Sequence, residues 1–392
     1  MIWPEARHNS EAHHRLRQTI LKLKQAGIPI VREQGFIRIN CPIVTDFDAV
    51  LSVQASGDSA LAPTSFQVLP EYWPAFSGEF SRWVDTRKSQ ITASLVPTLL
   101  TQIRQGRHRA EWSRVEELAR TCLDVDPFNE EAVLARAESI AMRGGKVEAI
   151  ALLDKYLENI GDREDDIRLP PSVMRRRISE RRTGISYRGD TEFMGRASTM
   201  EFLTTVLQHA RVGEGGTVVM SGPAGIGKSR VLDEFGKFGE LQGARIERLF
   251  CRASDLERPL SVFIDLSPRL LQLRGAIGCN EDTISSLRAL NSTEKTHTEV
   301  VTEKELVYPR IRSALFDVLD AVCEEQPIVL SLDDVHWMDP ISGRLVHELT
   351  QWCRSHKLLL LLTLRTDANT ISAREVWPDA THLELQSFDS KT

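Results

Sequence analysis

The stretch SGPAGIGKSR, residues 221–230, decides how the second half of this chain is read. Gly222, Gly227, Lys228 and Ser229 meet the spacing G-x-x-x-x-G-K-[ST], with a further glycine at Gly225. Directly before it, TVVM (Thr217 to Met220) is apolar and β-branched, as suits a buried strand. Directly after it, SRVLDEFGKF places Val231, Leu232 and Phe235 at helical spacing. A strand, a glycine loop and a helix in this order make a cradle for the phosphates of a nucleotide. Glycines let backbone N–H groups turn inward, and the helix N-terminus adds a partial positive charge. The pattern assigns Lys228 to the β- and γ-phosphates and the Ser229 hydroxyl to Mg²⁺, with Arg230 beside them in the first helical turn.

Such a loop needs an acidic strand to hold the metal, and PIVLSLDDVHWMDP (Pro327 to Pro340) supplies one. Ile328, Val329, Leu330 and Leu332 read as a buried strand ending in Asp333 and Asp334. A carboxylate at the C-terminal tip of a parallel strand lies where ligands bind. Asp333 is therefore placed in the Mg²⁺ shell, through water, and Asp334 is the candidate that polarises an attacking water. The alternative is a strand-to-helix turn with an aspartate cap. KLLLLLTLRTD reads as a third strand ending in Arg365, which either meets the γ-phosphate or is a surface arginine beside Asp367. ARIERLFCR (Ala244 to Arg252) and THLELQSF (Thr381 to Phe388) read as further strands. Strands alternating with helical segments imply an α/β fold with a doubly wound parallel sheet.

On these residues the chain resembles, over about 190–392, the STAND group of P-loop NTPases, relatives of the AAA+ ATPases. FMGR (Phe193 to Arg196) looks like the motif that opens that family's domain near the adenine, which brings Gly195 and Arg196 into the cofactor-binding set. DDVHWMDP resembles its extended acidic motif, with Trp337 and Asp339 as marks. The resemblance implies an ATP-driven switch with Mg²⁺ and slow hydrolysis. It also implies a helical lid after the last strand, whereas this chain ends at Thr392, so the lid is expected to be missing.

The whole chain has 392 residues, a length that suggests two to four domains. It is 41% hydrophobic and 27% charged with a net charge of −6, which suits ordinary cores and excludes a chain that is basic throughout. Cys41, Cys122, Cys251, Cys279, Cys323 and Cys353 lie singly, as reduced thiols of a cytoplasmic protein do. MIWPEARH has no apolar signal segment. The run Leu358 to Leu362 is far shorter than the roughly 20 residues of a membrane helix.

Residues about 90–160 have no strand character. Val115, Leu118 and Ala119 recur as Val147, Ile150 and Ala151, an offset of 32. DPFN (Asp126 to Asn129) stops one helix, Asn129 or a neighbour can cap the next, and RGG (Arg143 to Gly145) makes a tight turn. These features look like tetratricopeptide helix pairs, which offer a face to protein partners or to self-association; simple helical packing is the alternative. VMRRRISERR (Val173 to Arg182) reads either as a segment contacting DNA or nucleotide, or as a solvated helix and linker.

At the start, residues 11–27 read as an amphipathic helix, with Leu16, Ile20 and Leu23 on one face and Arg15, Gln18 and Lys22 almost opposite. IPIVREQGFIRIN then reads as a hairpin around Glu33, Gln34 and Gly35. The first forty residues carry seven Lys or Arg and three acids, an excess that suits phosphate contacts. A basic helix before a hairpin is the working end of a winged helix, in which Arg32 and Arg38 of the wing touch backbone; packing on the next domain is the other reading. WPE, LRQTILKLK, GIPIVREQGFIRIN and VTDFDAVL together resemble the DNA-binding half of the antibiotic regulatory protein (SARP) family. VDPFNEEAV resembles the bacterial transcriptional activator domain that follows it there. Carried over by position, Arg17, Lys22 and Lys24 are DNA contacts, while Leu21 stands where a small polar residue is usual. The family has further elements before this segment, so the chain is expected to be clipped in front as well.

The expected architecture is multidomain: a partial winged helix over 1–42, a tetratricopeptide-like activator domain over 43–180, and an α/β P-loop NTPase over 190–392. The expected function is an ATP-binding transcriptional regulator of promoter DNA. The alternatives are a signalling NTPase or adaptor without a DNA role, and a phosphotransferase, for which no acceptor-binding cluster is visible.

Overall fold

The computed structural model describes residues 9–33, 36–42, 78–161, 165–181, 193, 195–290, 299–366 and 373–387. The chain divides into two compact units, Met1–Arg104 with Ser113–Arg136, and Gln105–Trp112 with Ala137–Thr392. Among the described residues, no helix is long and apolar enough to cross a membrane.

In the first unit, helix α1 (Asn9–Gln25) is followed by strands β1 (Ile30–Glu33) and β2 (Phe36–Ile39). Gly27, at φ 83°, ends α1: its N–H bonds the Lys24 carbonyl while Ile28 N–H reaches back to Leu23 O. That pair of bonds satisfies the last turn and needs a left-handed residue, which glycine supplies without strain. The strands pair antiparallel from Ile30↔Ile39 to Glu33↔Phe36, so the expected hairpin forms. Its tip, Gln34 and Gly35, lies outside the described residues, as do Trp3, Pro4 and Glu5 and the whole of VTDFDAVL. The helix and hairpin build very little core. Among residues 9–42 the buried apolar side chains are Ile20 and Ile30, while Phe36 is 78% exposed.

The rest of this unit is helical. Helices α2 (Gly78–His108), α3 (Trp112–Val125) and α4 (Glu130–Met142) run across the division, with 105–108, Trp112 and 137–142 counted in the second unit; their first-unit residues Leu95, Leu99, Ile103, Val115, Leu118, Ala119, Cys122, Ala132 and Ala135 form one apolar cluster. Asn129 caps α4 as expected, its side-chain oxygen accepting from Ala132 N–H at 3.1 Å.

The proposed offset of 32 does not hold. Val115 is fully buried, whereas its supposed counterpart Val147 is 82% exposed. The burial pattern repeats at 34 positions instead: Val115, Ala119 and Cys122 correspond to Ala149, Leu153 and Tyr156, all buried. Helix ends agree, since α3 begins at Trp112 and α5 (Lys146–Ile160) at Lys146, while α2 ends at His108 and α4 at Met142. Matching residue types at the wrong spacing had hidden a match in helix register.

In the second unit, α5 and α6 (Asp165–Glu180) precede an α/β domain. Its elements are α7 (Ala197–Arg211), β3 (Gly216–Gly222), α8 (Lys228–Leu241), β4 (Arg245–Phe250), α9 (Ser261–Leu270), α10 (Glu281–Ala289), α11 (Glu299–Glu325), β5 (Ile328–Asp333), α12 (Pro340–Trp352), β6 (Leu358–Arg365), α13 (Ala373–Val376) and β7 (Thr381–Glu384). The five strands are all parallel in the order β4-β5-β6-β3-β7. Every residue of β5 is buried, as is every residue of β6 before Arg365. Such continuous burial is what helices packed over both faces of a parallel sheet require, and it explains unbroken apolar runs in place of alternation. Gly236 and Gly239 let α8 lie close to β4: a Cβ at Gly239 would stand 2.8 Å from Ile246 Cδ1.

The described part of the basic run 173–182 lies in α6 and just after it, where Arg176 is exposed while three other arginines have partners. Arg175 pairs with Asp154, Arg177 donates to the Leu241 carbonyl at 3.0 Å, and Arg181 donates to the Ala141 carbonyl at 3.0 Å.

Candidate nucleotide site

The strand order brings the C-terminal ends of β3, β5 and β6 to one edge. Gly222 pairs in register with Arg365, and the Thr366 N–H bonds the Gly222 carbonyl at 3.2 Å. The loop after β3 turns through Gly225 at φ 76° and Gly227 at φ 102°, both with open space where a Cβ would stand. L-residues with side chains reach these angles only with strain, so the two glycines set the loop's inward curve. Gly227 is also the N-cap of α8, which puts Lys228 and Ser229 in its first turn and Arg230, half-buried, next to them. Lys228 is buried, and its Nζ donates to the carbonyls of Gly222 at 2.8 Å and Pro223 at 3.0 Å. The ammonium group is thereby held inside the curve of the loop.

Asp333, at the tip of β5, is buried and receives three donors. Ser229 Oγ lies 2.8 Å from its Oδ2, Arg248 donates to the same oxygen at 2.8 Å, and Thr363 donates to Oδ1. Burial pushes this carboxyl up, but the bonds from Thr363, Arg248 and Ser229 and the charge of Arg248 outweigh it and hold it below the ordinary aspartate value. It is an ionised carboxylate beside a hydroxyl, the donor pair that suits Mg²⁺.

Asp334 adopts a left-handed backbone, φ 57° and ψ 48°. Its N–H is held by Thr363 Oγ1 at 2.8 Å, and its carboxylate takes two bonds from Arg365, at 3.2 and 2.9 Å. The two residues expected to serve catalysis are therefore bound to each other. Asp334 also precedes a single 3₁₀ turn, Val335–Trp337. The aspartate that caps a helix here is Asp339, at the head of α12. Asp339 is buried and accepts from Leu260 N–H, Ser261 N–H, Ser261 Oγ and Ser342 N–H at 2.9–3.2 Å. One carboxylate thus joins the starts of α9 and α12.

Arg196 is buried with its two terminal nitrogens on backbone carbonyls, Gln386 at 2.8 Å and Ile226 at 2.9 Å. It ties the phosphate loop to the chain leaving β7. Gly195, at φ 72°, shapes the turn before it. Asp367, the other candidate neighbour of Arg365, lies outside the described residues.

Two members of the site were not read from the sequence. Thr363 is the lone polar residue of LLLLLTL, a signal that was present. Arg248 lies mid-strand on β4, where it also pairs with Asp233 and stands 4.7 Å from the Phe250 ring centre. No local pattern marks it, because its partners come from α8 and β5.

The residues expected to touch DNA lie elsewhere, in the first unit. Arg15, Arg17, Gln18, Lys22, Lys24 and Arg32 are all exposed on α1 and β1. Gln18 shares a hydrogen bond of 3.1 Å with His14.

Residues 192–362 match the AAA ATPase domain family. An uncharacterized protein of Rhizobium meliloti (strain 1021) is 26% identical over 199 residues, a match covering 45% of this chain and 19% of that protein. The solved structure of C. elegans PCH-2 aligns with 50% of this chain and 45% of its own at 12% identity and a TM-score of 0.28. The cleft formed by Gly222, Lys228, Ser229 and Asp333 lies within the matched residues, and site and match together support a P-loop ATPase domain over 192–362.

Proposed function

We propose that this chain is an ATP-binding transcriptional regulator in which nucleotide binding or slow hydrolysis switches DNA binding or assembly. The observation that carries the nucleotide part is the convergence of Lys228, Ser229 and Asp333 at one strand edge, with Ser229 Oγ and Asp333 Oδ2 2.8 Å apart. In this reading the loop amides around Gly222, Gly225 and Gly227 and the Lys228 ammonium hold the phosphates. Ser229 and Asp333 hold Mg²⁺, which supplies charge neutralisation when bound. Asp334 orients water and Arg365 meets the γ-phosphate. Arg196 acts by holding the loop through Ile226.

The DNA part rests on the basic, exposed face of α1 and its hairpin together with the SARP resemblance. It carries with it the proposed division into a partial winged helix over 1–42, an activator domain over 43–180 and an NTPase over 190–392. The repeat of 34 positions in helix ends and burial is the usual tetratricopeptide period, which favours protein partners or self-association through those helices. A signalling NTPase or adaptor without a DNA role is the second reading, favoured by the thin core of the N-terminal segment.

Lys228→Ala should weaken binding of a fluorescent ATP analogue at least about 100-fold, roughly 2.7 kcal/mol. Unchanged affinity would remove the phosphate-loop assignment. A gel shift on promoter DNA at two salt concentrations, with Lys22→Ala beside the parent, separates the two readings. The regulator requires salt-sensitive binding whose log–log slope falls by about 1 in the variant.

A further inference from the structure

Helix α8 has a second set of contacts, further along the helix than the phosphate loop. Trp112 and Glu234 are both buried, and the indole Nε1 donates to Glu234 Oε1 at 3.0 Å. The Trp112 ring also lies 5.8 Å from that of Phe238. Glu138 is fully buried between two donors, Arg107 Nε at 2.5 Å and Gln242 Nε2 at 2.5 Å. Arg177 donates to the Leu241 carbonyl, and Arg181 pairs with Glu240 at 3.6 Å. At Gly243, φ 86°, a Cβ would stand 2.4 Å from an Arg177 nitrogen, so the guanidinium lies hard against the turn that ends α8.

All of these residues belong to one compact unit, in which 105–112 and 137–181 are grouped with the ATPase. The phosphate-loop helix is thus held from its middle to just past its end. Lys228 and Ser229 stand at its start, Glu234 about 9 Å further along at 1.5 Å per residue, and Gln242 about 20 Å along. Two buried carboxylates make this grip close to all-or-none, because a buried carboxylate that loses a donor is left with an unsatisfied charge, at a cost larger than the bond itself contributes.

We propose that this grip is a coupling joint: Trp112, Glu138, Arg177 and Arg181 are positioning residues that act on the nucleotide site through α8 and carry its occupancy to segments 105–112 and 137–181 of the same unit. The proposal deepens the nucleotide reading above and rests on it. Coupling is reciprocal, so loosening the joint alters nucleotide affinity, and nucleotide alters the joint. A mere scaffold would lose stability when cut and leave both unchanged.

The test uses the full chain. Trp112→Phe keeps a ring against Phe238 and removes the indole N–H; Glu138→Gln keeps the shape and removes the charge. Each should shift affinity for a non-hydrolysable ATP analogue about 5-fold or more. In the parent chain, hydrogen exchange of segments 105–112 and 137–142 should change on adding the analogue, and Lys228→Ala should abolish that change. Affinities within twofold of the parent for both variants, with no analogue-dependent change in exchange, would overturn the joint while leaving the nucleotide reading in place. If Trp112→Phe does not fold, Glu138→Gln and the exchange measurement on the parent still decide. A parent chain that binds no nucleotide overturns both readings.

Discussion

The hairpin of residues 30–39 and the sheet of the ATPase are built from similar residue types and end in opposite environments. FIRI in β2 is exposed at every position; IVLSLD in β5 is buried at every position. Strand-forming side chains are common to both. What differs is cover: β5 has a strand on each side and apolar helices against it, whereas Phe36, Ile37 and Ile39 are exposed. Local propensity makes a strand, but only burial makes it contribute to stability. The same contrast separates the two proposed activities, since the candidate nucleotide site is held by buried bonds and the basic face of α1 stands on a single helix with little core.

The largest effect expected is on the sheet side. Asp339→Ala orphans buried donors at Leu260, Ser261 and Ser342, each at about 1–3 kcal/mol, and thermal unfolding should show a drop of tens of degrees or failure to fold. Next, Leu360→Ala, in the middle of the sheet, should cost about 2–5 kcal/mol in a denaturant titration; a smaller loss would mean that the sheet is less closely covered than described. Third, Thr363→Val removes the bonds to Asp333 Oδ1 and Asp334 N–H, for about 1–3 kcal/mol.

That third change also has a pH signature. The folded carboxyl of Asp333 titrates below its unfolded value, so its contribution is fully present above about pH 3.9 and is lost as pH falls through the lower folded value. Thr363→Val should move that loss to higher pH, seen as acid unfolding that begins earlier. Smallest of all, Phe36→Ser on the hairpin should stay within about 0.5 kcal/mol. A cost as large as that of Leu360→Ala would show that this face is covered after all, and the comparison between the two regions would fall.

Much of the candidate site's geometry was legible because its parts are short and local. The glycine spacing, the strand before it and the helix after it all fall within some 25 consecutive residues, and each follows from backbone geometry. The ends of β5 and β6 were legible for the same reason: an apolar run that stops at a charge marks a strand tip. The helix pairs were legible as helices and not as a register, because Val147 and Ile150 imitate Val115 and Leu118 in type and not in position on the helix. The bonds from the two terminal nitrogens of Arg196 to Ile226 O and Gln386 O were not legible, since bare carbonyls leave no trace in side-chain patterns. The arginines of 173–182 looked like a charged surface because their partners, Leu241 O and Glu240, lie some sixty residues away.

The sequence by itself determined that a phosphate loop forms at 221–230, that acidic and basic strand tips follow it, and that helices surround them. These are contests among neighbouring residues over φ, ψ and burial, settled within a few turns of chain. Only the tertiary structure decided that Asp333 also meets Arg248, that Asp334 meets Arg365, and that Trp112 and Glu138 bond the later part of α8 and its C-cap. Those bonds depend on the strand order β4-β5-β6-β3-β7 and on helices closing over distant segments, where loop closure and desolvation set the outcome and local spacing is silent.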